Sequence, residues 1–183
     1  ADRTGPRKPW IAAFGALLVV GSTMLWFAVP GSTTAVPIAL TGFVIATIGA
    51  EFATTFNNAM MTRLVPPERL GWLSGTGWAV GYLGGLLSLA ITLGLLAADP
   101  QTGKTLAGIA PILGLDAAAR EGDRFSGPLT ALWFVVFVTP MFLLTPDSRR
   151  TGLSLSEAAQ GGVGRLKARL ADVPKLPALG RFM

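Results

Sequence analysis

Four runs of mostly apolar residues, at about 10–29, 36–61, 70–97 and 128–145, restrict this chain more than any other feature. Each is as long as the roughly 20 residues a helix needs to cross about 30 Å of hydrocarbon. Inside a bilayer the backbone must satisfy its own hydrogen bonds, so a run of this kind folds as a helix. Only 14% of the residues are charged, against about a quarter in soluble domains, and the mean hydropathy is +0.55. Punctuation agrees with the runs: Pro9 precedes the first, Pro30 and Gly31 close it, Pro37 opens the second, and Pro66 and Pro67 precede the third. Ser126 and Pro128 stand where a cap and first turn would start the fourth. The expected fold is all-α, a multi-pass transmembrane helical bundle of four spans occupying residues 1–146, with an outer loop at about 98–127.

Charge placement gives this bundle an orientation. Arg3, Arg7, Lys8, Arg63, Arg69 and seven basic residues from Arg149 to Arg181 lie at one side, twelve of the fifteen Lys and Arg. Lys104, Arg120 and Arg124 lie at the other. The positive-inside rule places the first side, and both ends of the sequence, in the cytoplasm. A net charge of +5 distributed this way belongs to membrane topology and predicts no nucleic-acid partner. The chain has no Cys and no His, which excludes disulfides, thiolate nucleophiles, imidazole bases and His-ligated metals within it. Neither enzymatic activity nor a cofactor is expected.

Residues 147–183 change character. Ser154 and Glu157 have capping-box spacing, and Val163, Leu166, Leu170 and Val173 recur at helical intervals among Arg165, Lys167 and Arg169. This predicts a cytoplasmic linker with an amphipathic helix at about 155–173, lying either on anionic lipid or against the ends of its own bundle. The closing LGRFM reads as the entrance to a further apolar segment, and the start at Ala1 leaves targeting information outside the sequence.

One polar interruption stands out within the second run, EFATTFNNAM at 51–60. Helical periodicity puts Glu51, Thr54, Thr55 and Asn58 at i, i+3, i+4 and i+7, on one face, with Asn57 about 120° away. Counting about 1.5 Å per residue from Met61 places Glu51 about 15 Å deep, near the midplane. A carboxylate there costs at least about 2.5 to 3.5 kcal/mol and must face protein or water. It either gains and loses a proton during a cycle, is held ionised by a cationic group, or is a structural residue satisfied by its neighbours. The stripe is the candidate lining of a substrate or proton pathway. In the third run Ser74, Gly77, Gly81, Gly84, Gly85 and Ser88 trace small residues at helical spacing, read first as a helix-packing face and second as a surface on which helices slide. Trp78 and Tyr82, four apart beside that face, read first as core packing and second as substrate contacts. Pro140 removes one backbone hydrogen bond from the fourth run.

With these residues in view, the chain resembles part of the major facilitator superfamily. The opening DRTGPRK is similar to that family's loop between its second and third helices, although Pro6 separates Gly5 from the basic pair. The resemblance implies that Asp2, Arg3, Gly5, Arg7 and Lys8 form a cytoplasmic gating cluster. More specifically, FNNAMMTRLVPPERLGWLSGTGWAVGYLGG looks like the vacuole-effluxer-like branch, through Asn58, Ala59, Ser74, Gly75, Gly77, Trp78, Gly81, Tyr82, Gly84 and Gly85, with Asn57 where that branch has Tyr. The antiporter Gly-Pro signature is not matched, since Tyr82 follows Gly81. The resemblance implies the third to sixth helices and central linker of a secondary transporter that works by alternating access. It implies a small polar solute, amino acids being the branch's example, and efflux as the direction. Partners would be the lipid bilayer, the solute and the protein's remaining helices. A bacterial inner membrane is the expected location. The competing reading is a non-transporting membrane scaffold or assembly subunit that packs through its glycine-rich helix.

Overall fold

The computed structural model describes residues 5–148 together with Gly161, Gly162 and Gly164. Asp2, Arg3 and the amphipathic helix expected at 155–173 lie outside the described residues, save those three glycines, which are helical. The chain divides into two compact units, Lys8–Pro146 and a smaller one formed by Ala1–Arg7 with Asp147–Met183.

The larger unit is all-helical. It contains α1 (Lys8–Met24), α2 (Ala35–Met61), α3 (Pro67–Ile91) and α4 (Glu121–Leu144), each long and apolar enough to span a membrane. Its surface is inverted relative to a soluble protein: Val36, Leu40, Phe43, Trp72, Leu83, Leu86 and Leu143 are all exposed. The buried core is correspondingly small, Ile11, Ala53 and Met60 surrounded by Phe14, Phe56, Val138, Met141 and Phe142. Without water to expel, such helices associate through close van der Waals contact, which requires small side chains at the crossing.

Those small side chains are on α1, α2 and α4. A Cβ added to Gly21 would stand 2.5 Å from the Ala46 nitrogen and 2.6 Å from the Gly42 carbonyl oxygen; one added to Gly49 would stand 2.5 Å from the Leu18 nitrogen and 2.6 Å from the Phe14 carbonyl oxygen. Above this seam Phe14 stacks on Phe52 at 4.7 Å, and Trp10 on Phe56 at 5.7 Å between ring centroids. On the other flank of α1, Gly15 faces the Phe134 ring, and Gly127 faces the Ser22 carbonyl and Leu25. Thus α1 is clasped between α2 and α4 through backbone contact.

α3 is built differently. It starts with Pro67 in its first turn, where a missing N–H costs nothing, and carries no buried residue along 25 residues. It is anchored at its far end, where Thr92–Leu96 form a π-helical turn closed by the Ala97 N–H donating to the Thr92 carbonyl at 2.7 Å. The following loop ties back to this turn: the Leu106 N–H donates to the Leu93 carbonyl at 3.0 Å, an isolated bridge pairs Ala98 with Thr105, and Gly122 of α4 fits directly against the Leu96 carbonyl.

The fourth helix begins earlier than its sequence signals place it. Glu121 and Asp123 occupy its first turn, and the Glu121 carboxylate accepts from the Asp116 N–H at 2.9 Å, while the Asp116 carbonyl accepts from the Glu121 N–H at 3.0 Å. This reciprocal pair starts the helix ahead of Pro128. Ser126 is therefore not a cap: its hydroxyl donates to the Asp123 carbonyl at 2.6 Å inside the helix. Pro128 and Pro140 are both interior.

Candidate functional site

Residues advance about 100° apiece around a helix. On α2, Gly42, Gly49, Ala53 and Met60 are buried, and they lie about 160 to 180° from Glu51. Glu51, Thr55 and Asn58 therefore form the ridge directly opposite the buried face, and all three are exposed. Thr55 spends its proton at home, donating to the Glu51 carbonyl at 2.8 Å. No hydrogen bond or ion pair within the described residues reaches the Glu51 carboxylate, the Thr54 hydroxyl or the Asn57 and Asn58 carboxamides. An ionisable group and two amides thus stand unpartnered on a span long enough to cross a membrane.

The flank of α2 between ridge and buried face opens onto a cavity of about 920 Å³ enclosed by all four helices. Here the stripe divides. Thr54 borders the cavity, whereas Glu51, Thr55 and Asn58 do not. Asn57, which periodicity sets apart from the stripe, is the second polar residue that α2 contributes. The opposite wall is Gly77, Gly81, Gly84, Gly85 and Ser88 of α3. A Cβ added to Gly77, Gly81 or Gly85 would meet no atom within 4 Å, and at Gly84 the nearest is Trp133 Nε1 at 3.7 Å. Within this chain, then, these glycines border space, and the close helix contacts fall to Gly21, Gly42, Gly49 and Gly127 instead. The missed signal was the small-residue spacing of Gly42, Ala46, Gly49 and Ala53, partly obscured by the bulky residues around it. Ser74 is half-buried and lies outside the cavity lining.

Trp78 and Tyr82 touch each other, ring centroids 5.9 Å apart, but neither is core: Tyr82 is 70% and Trp78 58% exposed, and both point away from the cavity. Their expected burial fails because α3 turns that side away from the other three helices.

Of the cluster at the start of the chain, Gly5 takes a left-handed conformation (φ 93°) that suits glycine. In the smaller unit the Arg7 N–H donates to Asp147 Oδ1 at 2.9 Å, and the Arg7 guanidinium lies 3.4 Å from Ser148 Oγ. In the larger unit Lys8 Nζ donates to the Phe142 carbonyl at 2.8 Å, occupying one of the acceptors that the last turn of α4 leaves unused. Asp147 and Ser148 were not anticipated; they follow Pro146 immediately, in a segment read only as linker.

At the opposite end Arg124 secures the close of α1's extension, a 3₁₀ turn at Leu25–Phe27. Its Nη1 donates to the Trp26 carbonyl at 2.6 Å, its guanidinium lies 5.0 Å from the Trp26 ring, and its Nη2 lies 3.7 Å from Glu121 Oε1.

No family model and no solved structure matches the chain. Among curated proteins it is similar to the uncharacterized MFS-type transporter YxiO of Bacillus subtilis, at 24% identity over 142 residues. The match covers 77% of this chain and 30% of that relative, so the chain spans less than a third of the relative's length. It points to a membrane transporter rather than an enzyme.

Proposed function

We propose that this chain is part of a secondary active transporter of the major facilitator superfamily, which moves a small polar solute across a membrane by alternating access. The observation that carries the reading is the ridge of Glu51, Thr55 and Asn58, exposed and unpartnered on the side of α2 opposite its packed face. In lipid, a charged carboxylate costs about 2.5 to 3.5 kcal/mol or more, and an unpaired amide adds to it. This ridge therefore meets water or protein, as the wall of a solute or proton pathway does. Similarity to an MFS-type transporter supports the same reading.

Glu51 is the proton carrier in this scheme, and Asn58 and Thr55 contact the solute beside it. Thr54 stands at the edge of the ridge, and Tyr82 is a candidate contact from α3. The basic side of the bundle lies in the cytoplasm of a bacterial cell, the protein in its inner membrane. There Asp2, Arg3, Gly5, Arg7 and Lys8 form a gating cluster, to which the contacts of Arg7 with Asp147 and of Lys8 with Phe142 add partners. The vacuole-effluxer-like motif names amino acids as the solute class and efflux as the direction.

The test is transport by the full-length protein in proteoliposomes, with a radiolabelled amino-acid mixture and an imposed pH gradient. Glu51→Gln is expected to abolish stimulation by the gradient while leaving solute exchange at equal pH. An unchanged dependence on pH removes Glu51 as the proton carrier. Absence of any solute flux from active-folded protein across the amino-acid classes favours a scaffold that packs through its glycine-rich helix.

A further inference from the structure

The cavity between α3 and the other helices has a shape that a small solute does not need. Its lining runs from Gly77 to Ser88 on α3 and from Thr130 to Met141 on α4, eleven residues of rise in each case, or about 16 Å. Ile11 and Leu18 of α1 and Ala50 to Asn57 of α2 border the same stretch. The space is thus a slot parallel to the helices. Its chemistry is that of a helix contact: of the twenty lining residues only Thr54, Asn57, Ser88 and Thr130 are polar by type, and none is charged. Thr130 already donates to the Ser126 carbonyl. On one wall the backbone of Gly77, Gly81 and Gly85 lies bare, and in lipid bare backbone is useful where another helix packs against it. α3 otherwise contributes nothing to the buried core, with 6% of its most apolar window buried.

We infer that this slot holds a further membrane-spanning helix of the same polypeptide, lying outside residues 1–183. The transporter that this chain resembles supplies the material: the matched 142 residues are only 30% of its length. The occupant presents small or medium apolar residues to the glycine wall, and a hydrogen-bonding side chain at the level of Thr54 and Asn57. Asn57 has a specific task in this arrangement. It lies off the Glu51 ridge because it faces the inserted helix, and its carboxamide pairs with that helix, not with the solute. The inference rests on the chain lying in a membrane as part of a longer protein; it does not depend on what is transported.

The test places a diazirine amino acid at Leu83 in the full-length protein in native membranes, with Ile11 as a packed control and Tyr82 as a control on the far side of α3. After irradiation, cross-linked peptides are identified by mass spectrometry from a mixture of ¹⁵N-labelled and unlabelled chains. The expected result is a Leu83 adduct with an apolar peptide of the same chain from outside residues 1–183, carrying one isotope throughout, and no such adduct from Tyr82. Three results overturn the inference: an adduct with lipid, a mixed-isotope adduct that signals a second copy, or quenching by water while Ile11 cross-links normally. An Asn57→Leu variant adds an independent reading. Loss of thermal stability with the proton-driven transport profile retained fits a helix partner; unchanged stability with altered solute affinity assigns Asn57 to the solute and overturns its proposed role. Because cross-linking needs no transport, its failure is distinguishable from failure of the Glu51 experiment.

Discussion

Gly49→Ala should unseat α1 from α2. The new methyl group would stand 2.5 Å from the Leu18 nitrogen and 2.6 Å from the Phe14 carbonyl oxygen, both main-chain atoms that no rotamer change can move away. Relief requires the two helices to part by about an ångström along the seam that also holds the Phe14–Phe52 stack. Overpacking of this kind costs about 1 to 3 kcal/mol, and backbone obstruction places it toward the upper figure. Against this, Ala improves helix propensity over Gly by about 0.8 to 1.0 kcal/mol. The net is a loss of about 2 kcal/mol, roughly thirtyfold in the unfolding equilibrium, since about 1.4 kcal/mol is a factor of ten. Equilibrium unfolding of the full-length protein in mixed detergent–SDS micelles, followed by helical circular dichroism, measures it. Gly75→Ala is the comparison, because its added Cβ meets no atom within 4 Å and it lies away from the slot. If Gly49→Ala proves as stable as Gly75→Ala, the helices do not cross at backbone contact and the packing described for α1 and α2 is wrong.

Two further substitutions probe the ends of the bundle. Arg124→Gln gives up the hydrogen bond to the Trp26 carbonyl and the stacking over its ring, and should lower stability by about 1 to 3 kcal/mol, read as a fall in melting temperature. Lys8→Gln removes the ammonium from the Phe142 carbonyl, a charge-assisted bond worth about 1.5 to 3 kcal/mol at most, and should destabilise the detergent-solubilised protein measurably, whereas Lys8→Arg should restore most of the loss.

The helices were legible because apolar length is a local property, and α2 runs from Ala35 to Met61 where its run was read from about 36 to 61. The start of α4 was less so: Pro128 is a strong local signal for a first turn, but Asp116 and Glu121 pair across five residues and begin the helix ahead of it. The polar ridge was legible as a face, since 3.6 residues per turn fixes which side chains share a side. Which way that face turns was not, because azimuth depends on where Gly21 and Gly42 meet, a contact between separate helices. For the same reason Asn57 reads as an outlier in the sequence and as a cavity residue in the structure. Glycines offer the plainest case. Those of α3 are conspicuous in sequence and border empty space, while Gly21, Gly42 and Gly49, scattered among bulky neighbours, make the contacts.

The π-helical turn at Thr92–Leu96 sets the bearing of everything before it on α3. Such a turn holds one residue more than an α-helical turn of the same rise, and the loop and Gly122 fix its far side. Shortening it by a single residue would restore ordinary helical register and swing the body of α3 by about 100°. The glycine wall would leave the slot, and the Trp78–Tyr82 flank would turn toward a new neighbour, with no side chain in either altered. The fit of this helix is therefore kept by a residue count, and an insertion or deletion in those five positions would be felt more than most substitutions along the helix itself.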